Sequence, residues 1–181
     1  MHLSDTELAV LGLLSFGERS GYELDKLARG SIGYFWRPAK SKIYAILPRL
    51  VERGLAESEA VMQATRPDKR LYRLTPGGER ALRDWLGSRD VSAGVARDGL
   101  LLKLFFGELG EAAALREQIE GRRLRARVQL SELEEIERGI DRDADFYPYL
   151  TLLHGIEDAR STMAWCDRAL AELEAREAAR A

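Results

Sequence analysis

Residues 42–55 read KIYAILPRLVERGL, and this stretch carries the pattern on which the fold depends. Its apolar residues recur every three or four positions, which predicts one buried face of an α-helix that begins near Pro38. Pro48 lies inside this helix and removes one backbone hydrogen bond, so we expect a local bend there. Gly54 ends the helix. The predicted buried face consists of Ile43, Ile46, Leu47, Leu50 and Val51.

Two shorter helices precede this one, and each opens with the same signal. Ser4 and Glu7 have the spacing of a capping box, in which each side chain satisfies a backbone N–H near the other residue. Ser20 and Glu23 repeat that spacing before the second apolar stripe. The pattern therefore predicts three helices before residue 55.

A hairpin and a fourth helix follow. Residues 55–62 and 69–74 read as strands around a polar loop. Thr75 and Pro76 are the cap and first residue of a helix that ends at Gly87. Three helices, two strands and a helix are the order of a winged helix-turn-helix, which we assign to residues 1–88.

The remainder, residues 89–181, is predicted to be all-helical. Residues 95–106 are apolar nearly all round, which predicts a helix covered on more than one side. Long charged helices are expected over 111–140 and 149–176, and the apolar stripe of the last approximates a heptad seam. We therefore expect a dimerisation domain that pairs with a second copy of the chain. The candidate contacts are Leu101, Leu104, Phe105, Leu153, Ile156, Met163 and Leu170.

The net charge of −2 hides an uneven distribution. Residues 1–88 carry 14 Lys and Arg against 11 Asp and Glu, and the rest carries 14 against 19. The basic excess is concentrated in residues 36–53 and 66–73. Since phosphates respond to local potential, these two segments indicate a surface for double-stranded DNA. The alternative is two ordinary solvated faces.

The third helix and the wing supply the candidate DNA contacts. The amino-terminal half of the helix would enter the major groove, and the wing would follow the flanking backbone or the minor groove. Tyr44 has two interpretations: it donates its hydroxyl to a phosphate, or it is a core tyrosine. The candidates are Lys40, Ser41, Lys42 and Tyr44 on the helix, with Arg66, Lys69 and Arg70 on the wing.

Enzymatic and metal-dependent functions find little support in the sequence. His2 and His154 are distant from the single cysteine, Cys166, and no phosphate-cradling glycine motif is present. The acidic run 141–145 reads as a solvated turn. We therefore predict no cofactor, no metal and no catalytic residue. One cysteine, no signal peptide and no apolar run of about 20 residues predict a cytoplasmic protein without a membrane partner.

Four segments in the first half resemble the PadR family of transcriptional regulators. They are SGYEL at 20–24, IYAILPRL at 43–50, ERGL at 52–55 and RLYRLT at 70–75. The tail, with DGLLLKLFF at 98–106, resembles long-tailed members whose carboxy-terminal domain is similar to that of the virulence activator AphA. The chain departs from the family at Lys40 and Lys42, where small or hydroxylated residues are usual. Ser20 replaces a frequent histidine.

The resemblance implies a homodimer that binds a palindromic operator, often as a repressor, and in some members releases DNA when a small aromatic compound binds. Each aromatic candidate for effector contact also has the simpler interpretation of packing, and for Tyr22 that means the core of the head. The candidates are Tyr22, Trp36, Phe105, Phe106 and Trp165. A winged helix used only to bind another protein is the alternative function.

Overall fold

The computed structural model describes residues 3–61, 69–88 and 98–180. The chain divides into two compact units, Met1–Ser92 and Ala93–Ala181. The predicted mainly helical fold with a small hairpin is confirmed. No helix within the described residues is long and apolar enough to cross a membrane.

The first unit contains four helices and a small sheet. The helices are α1 (Asp5–Leu14), α2 (Gly21–Gly30), α3 (Lys40–Glu52) and α4 (Pro76–Gly87). The strands are β1 (Arg19–Ser20), β2 (Ala56–Val61) and β3 (Lys69–Leu74), arranged antiparallel in the order β1-β3-β2. The third helix begins at Lys40, two residues after the predicted Pro38, and Pro48 lies inside it as expected.

The predicted helix signals of this unit are confirmed. Both capping boxes form, at Ser4 with Glu7 and at Ser20 with Glu23. The apolar faces of the helices meet in one core, because α1 and α2 both pack on α3 and the sheet closes one side. The largest fully buried side chains of this core are Leu11, Leu14, Leu24, Ile43, Leu47 and Leu50.

A close approach of backbones joins α3, β2 and α4. Gly54 has a φ of +66°, and the Leu55 N–H donates to the Leu50 carbonyl at 2.9 Å, the signature of a Schellman cap. The Thr75 hydroxyl donates to the Gly54 carbonyl at 2.7 Å. A Cβ on Gly78 would lie 2.1 Å from the Leu55 carbonyl oxygen, so only glycine fits there. The corner fixes where the hairpin leaves the third helix.

The second unit consists of α5 (Gly99–Phe105), a 3₁₀ turn (Gly107–Leu109), α6 (Ala112–Gly139) and α7 (Phe146–Arg180). The helices α6 and α7 form a long pair. Their buried residues are Leu115, Ile119, Ala126 and Leu133 on α6, and Leu152, Ile156, Ala159 and Cys166 on α7.

One expectation for this unit needs correction. Ile156 was predicted to contact a partner chain, but it is 1% exposed within its own chain and offers no surface to a partner. The heptad-like stripe is therefore used in part for the pairing of α6 with α7. None of the residues of α5 is buried within the single chain, and the expected covering of this helix on several sides stays a prediction.

Candidate nucleic-acid interface

The first turn of α3 presents an unneutralised positive surface. Lys40, Ser41 and Lys42 are all exposed, because Ile43 and Ile46 direct the opposite face into the core. The turn contains no acidic residue, and Ala39 at the cap makes no side-chain hydrogen bond. The partial positive charge of the helix amino terminus therefore adds to the two lysine charges. Among the described residues, no carboxylate pairs with either lysine.

Tyr44 lies one turn further along the same surface. Its side chain is 46% exposed, so the interpretation as a core tyrosine is wrong. The Lys40 ammonium lies 5.9 Å from the ring centroid, within the range of a cation–π contact. The Tyr44 ring and the Lys40 side chain thus lie on the same side of α3, whereas Lys42, two positions after Lys40, projects from the other side of its exposed surface.

Some basic residues of the wing pair with carboxylates of the same chain and so are less available to contact DNA. Arg70 is exposed on β3 and pairs with no carboxylate of the described part of the chain. Arg73 pairs with Glu57, its neighbour across the hairpin, at 2.7 Å. Lys69 is only partly exposed and its Nζ lies 2.8 Å from Glu23 Oε1. Arg66 lies outside the described residues. Lys69 is therefore a structural link as well as a candidate contact.

Glu23 joins the base of the wing to α2. Its Oε2 accepts the Ser20 N–H at 2.8 Å and the Ser20 hydroxyl at 2.7 Å, which completes the capping box. Its Oε1 accepts from Lys69, at the first residue of β3. The hydrogen bond from Lys69 and those from Ser20 lower the pKa of Glu23 to about 2. One carboxylate thus holds a helix start and a strand start together.

Glu7 has the same double role at the other end of the unit. One oxygen completes the capping box with Ser4, and the other accepts from Arg49 at 3.0 Å and Arg53 at 3.2 Å. Glu7 is 4% exposed, and the backbone hydrogen bond from Ser4, with help from both arginines, lowers its pKa. Arg49 and Arg53 belonged to the predicted basic segment 36–53. The structure turns them toward Glu7.

Sequence reasoning missed this second use of both glutamates. The capping boxes are visible in the sequence, but the identity of the distant basic partner is not, since Arg53 and Lys69 each lie 46 residues away. The spacing of Arg49 and Arg53, one turn apart at the end of α3, is the only signal. It is compatible equally with a phosphate-binding face.

The candidate effector residues are distributed over both units. Tyr22 on α2 is 60% exposed, which rules out the core position expected for it, and Trp36 is also exposed. Phe105 and Phe106 contact each other edge to face at 5.1 Å and both face solvent. Trp165 is half-buried on α7, with the Arg122 guanidinium 5.4 Å from its ring centroid. Within the described residues, no cluster of side chains is suited to hold a metal ion.

The chain is similar along most of its length to bacterial transcriptional regulators. The model of the PadR-like transcriptional regulator family matches residues 10–84, and that of the virulence activator alpha C-terminal domain matches residues 96–174. The negative transcriptional regulator PadR of Bacillus subtilis is 27% identical over 174 residues, which cover 92% of this chain and 96% of the relative.

Solved structures agree with this similarity. The crystal structure of Bacillus subtilis PadR in complex with operator DNA is 27% identical, covers 94% of this chain and 99% of that chain, and has a TM-score of 0.82. Its complex with p-coumaric acid is 25% identical, covers 93% and 98%, and has a TM-score of 0.72. The Vibrio cholerae virulence activator AphA is 26% identical, covers 94% and 98%, and also scores 0.72. These matches confirm the winged-helix fold class.

The Glu23–Lys69 link leads to a testable pH dependence of stability. The folded state lowers the Glu23 pKa to about 2 from its ordinary 4.5. The stabilising contribution of the link is therefore fully present above pH 4.5. That contribution decreases as the pH falls from 4.5 towards 2. Glu23→Gln should lower the free energy of unfolding at pH 7 by about 1 kcal/mol, since solvent screens this partly exposed pair.

The measurement is denaturant unfolding of both proteins between pH 7 and pH 2. The difference between them should be constant above pH 4.5 and shrink below it. Glu59→Gln is the matched control, because Glu59 is an exposed glutamate of β2 with no ion pair among the described residues. A Glu23→Gln difference that does not depend on pH would contradict the assigned role of the carboxylate.

Proposed function

The chain belongs to the PadR-like family of transcriptional regulators, and we propose that it is a repressor that binds a palindromic operator as a homodimer. The family consists of transcriptional regulators and not of enzymes. The observation that carries the proposal is the exposed pair Lys40 and Lys42 on the first turn of α3, with no neutralising carboxylate among the described residues. A helix whose first turn is exposed and positively charged is suited to the major groove of a DNA duplex.

The proposed contacts are of two kinds: those that recognise bases and those that bind the phosphate backbone. Lys40, Ser41 and Lys42 would meet base edges and the adjacent phosphates, since lysine donates to guanine acceptors as well as to phosphate. Tyr44 would donate its hydroxyl to a phosphate. Arg70, with Arg66 of the wing loop, would follow the flanking backbone. A repressor acts by occupying the promoter, so affinity supplied mainly by phosphate contacts makes repression strongly salt-dependent.

Footprinting of the DNA upstream of the protein's own gene tests the proposal directly. We expect protection of two inverted half-sites centred one helical turn, about 34 Å, apart. Lys42→Ala and Arg70→Ala should each weaken binding about tenfold at physiological salt and reduce the slope of log K against log salt by about one. Fluorescence anisotropy at several salt concentrations measures both quantities.

Arg83→Ala is the control for these variants. It removes the same charge from α4, where Arg83 is exposed and, within the described part of the chain, pairs with Glu79 of its own helix alone. Its affinity and salt slope should equal those of the wild type. Full operator binding by both Lys42→Ala and Arg70→Ala would refute the proposed surface. No footprint on any promoter fragment would favour the protein-interaction module instead.

The homodimer is supported by the apolar surface of the second unit. Helix α5 has no buried residue, and its exposed side chains include Leu101, Leu102 and Phe105, the last 82% exposed. A seven-residue helix of this composition gains almost nothing by folding against its own chain alone. A second copy would remove this apolar area from water. Of the predicted partner contacts, Leu101, Leu104, Phe105, Leu153, Met163 and Leu170 remain part of the proposal.

Phe105→Glu tests the dimer, and Lys103→Glu is its control. The two positions lie about 200° apart around the helix, and the Lys103 ammonium donates to Gln118 of the same chain at 3.0 Å. Sedimentation equilibrium should give twice the chain mass of 20.4 kDa for the wild type and for Lys103→Glu. Phe105→Glu should shift the protein towards 20.4 kDa and lose most operator affinity. A dimeric Phe105→Glu would exclude α5 from the interface.

We further propose that a small aromatic acid releases the operator, and Trp165 is the best-supported contact. It lines a groove of about 540 Å³ on α7 together with Arg168 and Ser161. A planar ring could stack on the indole while its carboxylate pairs with an arginine. The remaining candidates are exposed, and none of them has such a contact with a cation of the described residues: Tyr22, Trp36, Phe105 and Phe106.

Titration with p-coumaric acid tests this part of the proposal. The acid should weaken operator binding by the wild type, and Trp165→Leu should raise the concentration needed at least tenfold. Trp85→Leu, a change of an exposed tryptophan on α4, should leave the titration unchanged. If millimolar p-coumaric acid has no effect on the wild-type complex, this compound is not the effector. An equal response of the two variants would exclude Trp165.

A further inference from the structure

Gly21 is the first residue of α2, and it lies directly against two side chains of α3. A Cβ built on Gly21 would lie 3.0 Å from Cε1 and 3.2 Å from Cζ of Tyr44, and 3.4 Å from Cδ1 of Leu47. The first two distances are shorter than an ordinary carbon–carbon contact, which is 3.5 Å or more. Cζ carries the tyrosine hydroxyl. The bare backbone of Gly21 therefore faces the functional end of the ring.

The neighbouring contacts determine which partner would move. Leu47 is fully buried and fixed in the core, and its distance to the built Cβ is close to an ordinary van der Waals contact. Tyr44 is half-exposed, so its ring is free to tilt outward. A methyl group at position 21 would push the hydroxyl end of the Tyr44 ring away from α2 while α3 itself stays in place.

We infer that Gly21 is a positioning residue for DNA binding, because its missing side chain lets Tyr44 seat against α2 and present its hydroxyl at a fixed place on the α3 surface. This inference rests on the proposed function. Gly21 is not one of the proposed DNA contacts. Its effect on operator affinity is indirect, because it sets the position of the Tyr44 ring. The exposed Tyr22, next in the chain, has no part in it.

The test is a double-mutant cycle on operator affinity with Gly21→Ala and Tyr44→Ala. Loss of a hydrogen bond to a phosphate should weaken binding about tenfold in Tyr44→Ala. Gly21→Ala should weaken it about fivefold, and the double variant should bind no more weakly than Tyr44→Ala. The salt slope should stay at the wild-type value in all three, since no cation is removed.

Gly12→Ala is the matched control. It places the same methyl group in α1, where a Cβ would meet nothing within 4 Å, so operator affinity should not change. The double-mutant cycle also remains informative if Gly21→Ala has a folding defect. If Gly21→Ala alone unfolds, the Tyr44→Ala background removes the obstructing ring and should restore folding, as measured by thermal melting.

Four results would overturn the inference. Wild-type affinity in Gly21→Ala would show that the ring is not held by this contact. Losses that multiply in the double variant, or a folding defect that Tyr44→Ala does not rescue, would show that Gly21 acts independently of Tyr44. A reduced salt slope in Gly21→Ala would show that the lysines have moved. Failure of the proposed DNA-binding surface can be distinguished from failure of the Gly21 inference. In the first case, Lys42→Ala would also bind the operator like the wild type.

Discussion

Two glutamates, each shared between a helix start and a distant basic residue, hold the first unit together. Glu7 and Glu23 both use one oxygen for a capping box and the other for a cation supplied from elsewhere in the chain. Capping alone is a local interaction. The second carboxylate oxygen of each glutamate adds a tertiary contact with a basic residue that is distant in the sequence. Glu7 ties the end of α3 to α1, and Glu23 ties the base of the wing to α2. The third helix and the wing, which carry the candidate DNA contacts, are thus both anchored to helix starts.

Most of the first unit could be predicted because its signals are local. Helical periodicity, capping boxes, Gly54 and the Thr75–Pro76 start are each contained within a few residues, and each is found in the structure. The two-residue strand β1 was missed, since its pairing with β3, between residues that lie 51 and 53 positions apart, leaves no local pattern. The basic face was predicted only in part. Charge counts do not distinguish Lys42, which faces solvent, from Arg53, which turns to Glu7.

The second unit was less predictable for a related reason. An apolar stripe on a long helix indicates that a partner exists but does not say which one. Ile156 packs inside its own chain, whereas Leu153 on the same helix remains 39% exposed. The two differ by three residues, less than one helical turn, so a heptad pattern assigns them to one seam. Only the crossing of α6 and α7 separates the residues that pair within the chain from those left outside.

The distribution of ion pairs explains how a chain of net charge −2 can carry a positive surface. Arginines of α6 and α7 pair with acids of neighbouring helices, as in Arg116 with Glu177, Arg123 with Asp167 and Arg160 with Glu134. Exposed pairs of this kind add little stability, because solvent screens the attraction between the two charges. Their larger effect is to cancel charge locally. Lys40, Lys42 and Arg70 lack such partners among the described residues, so their positive charges on α3 and the wing are not cancelled locally.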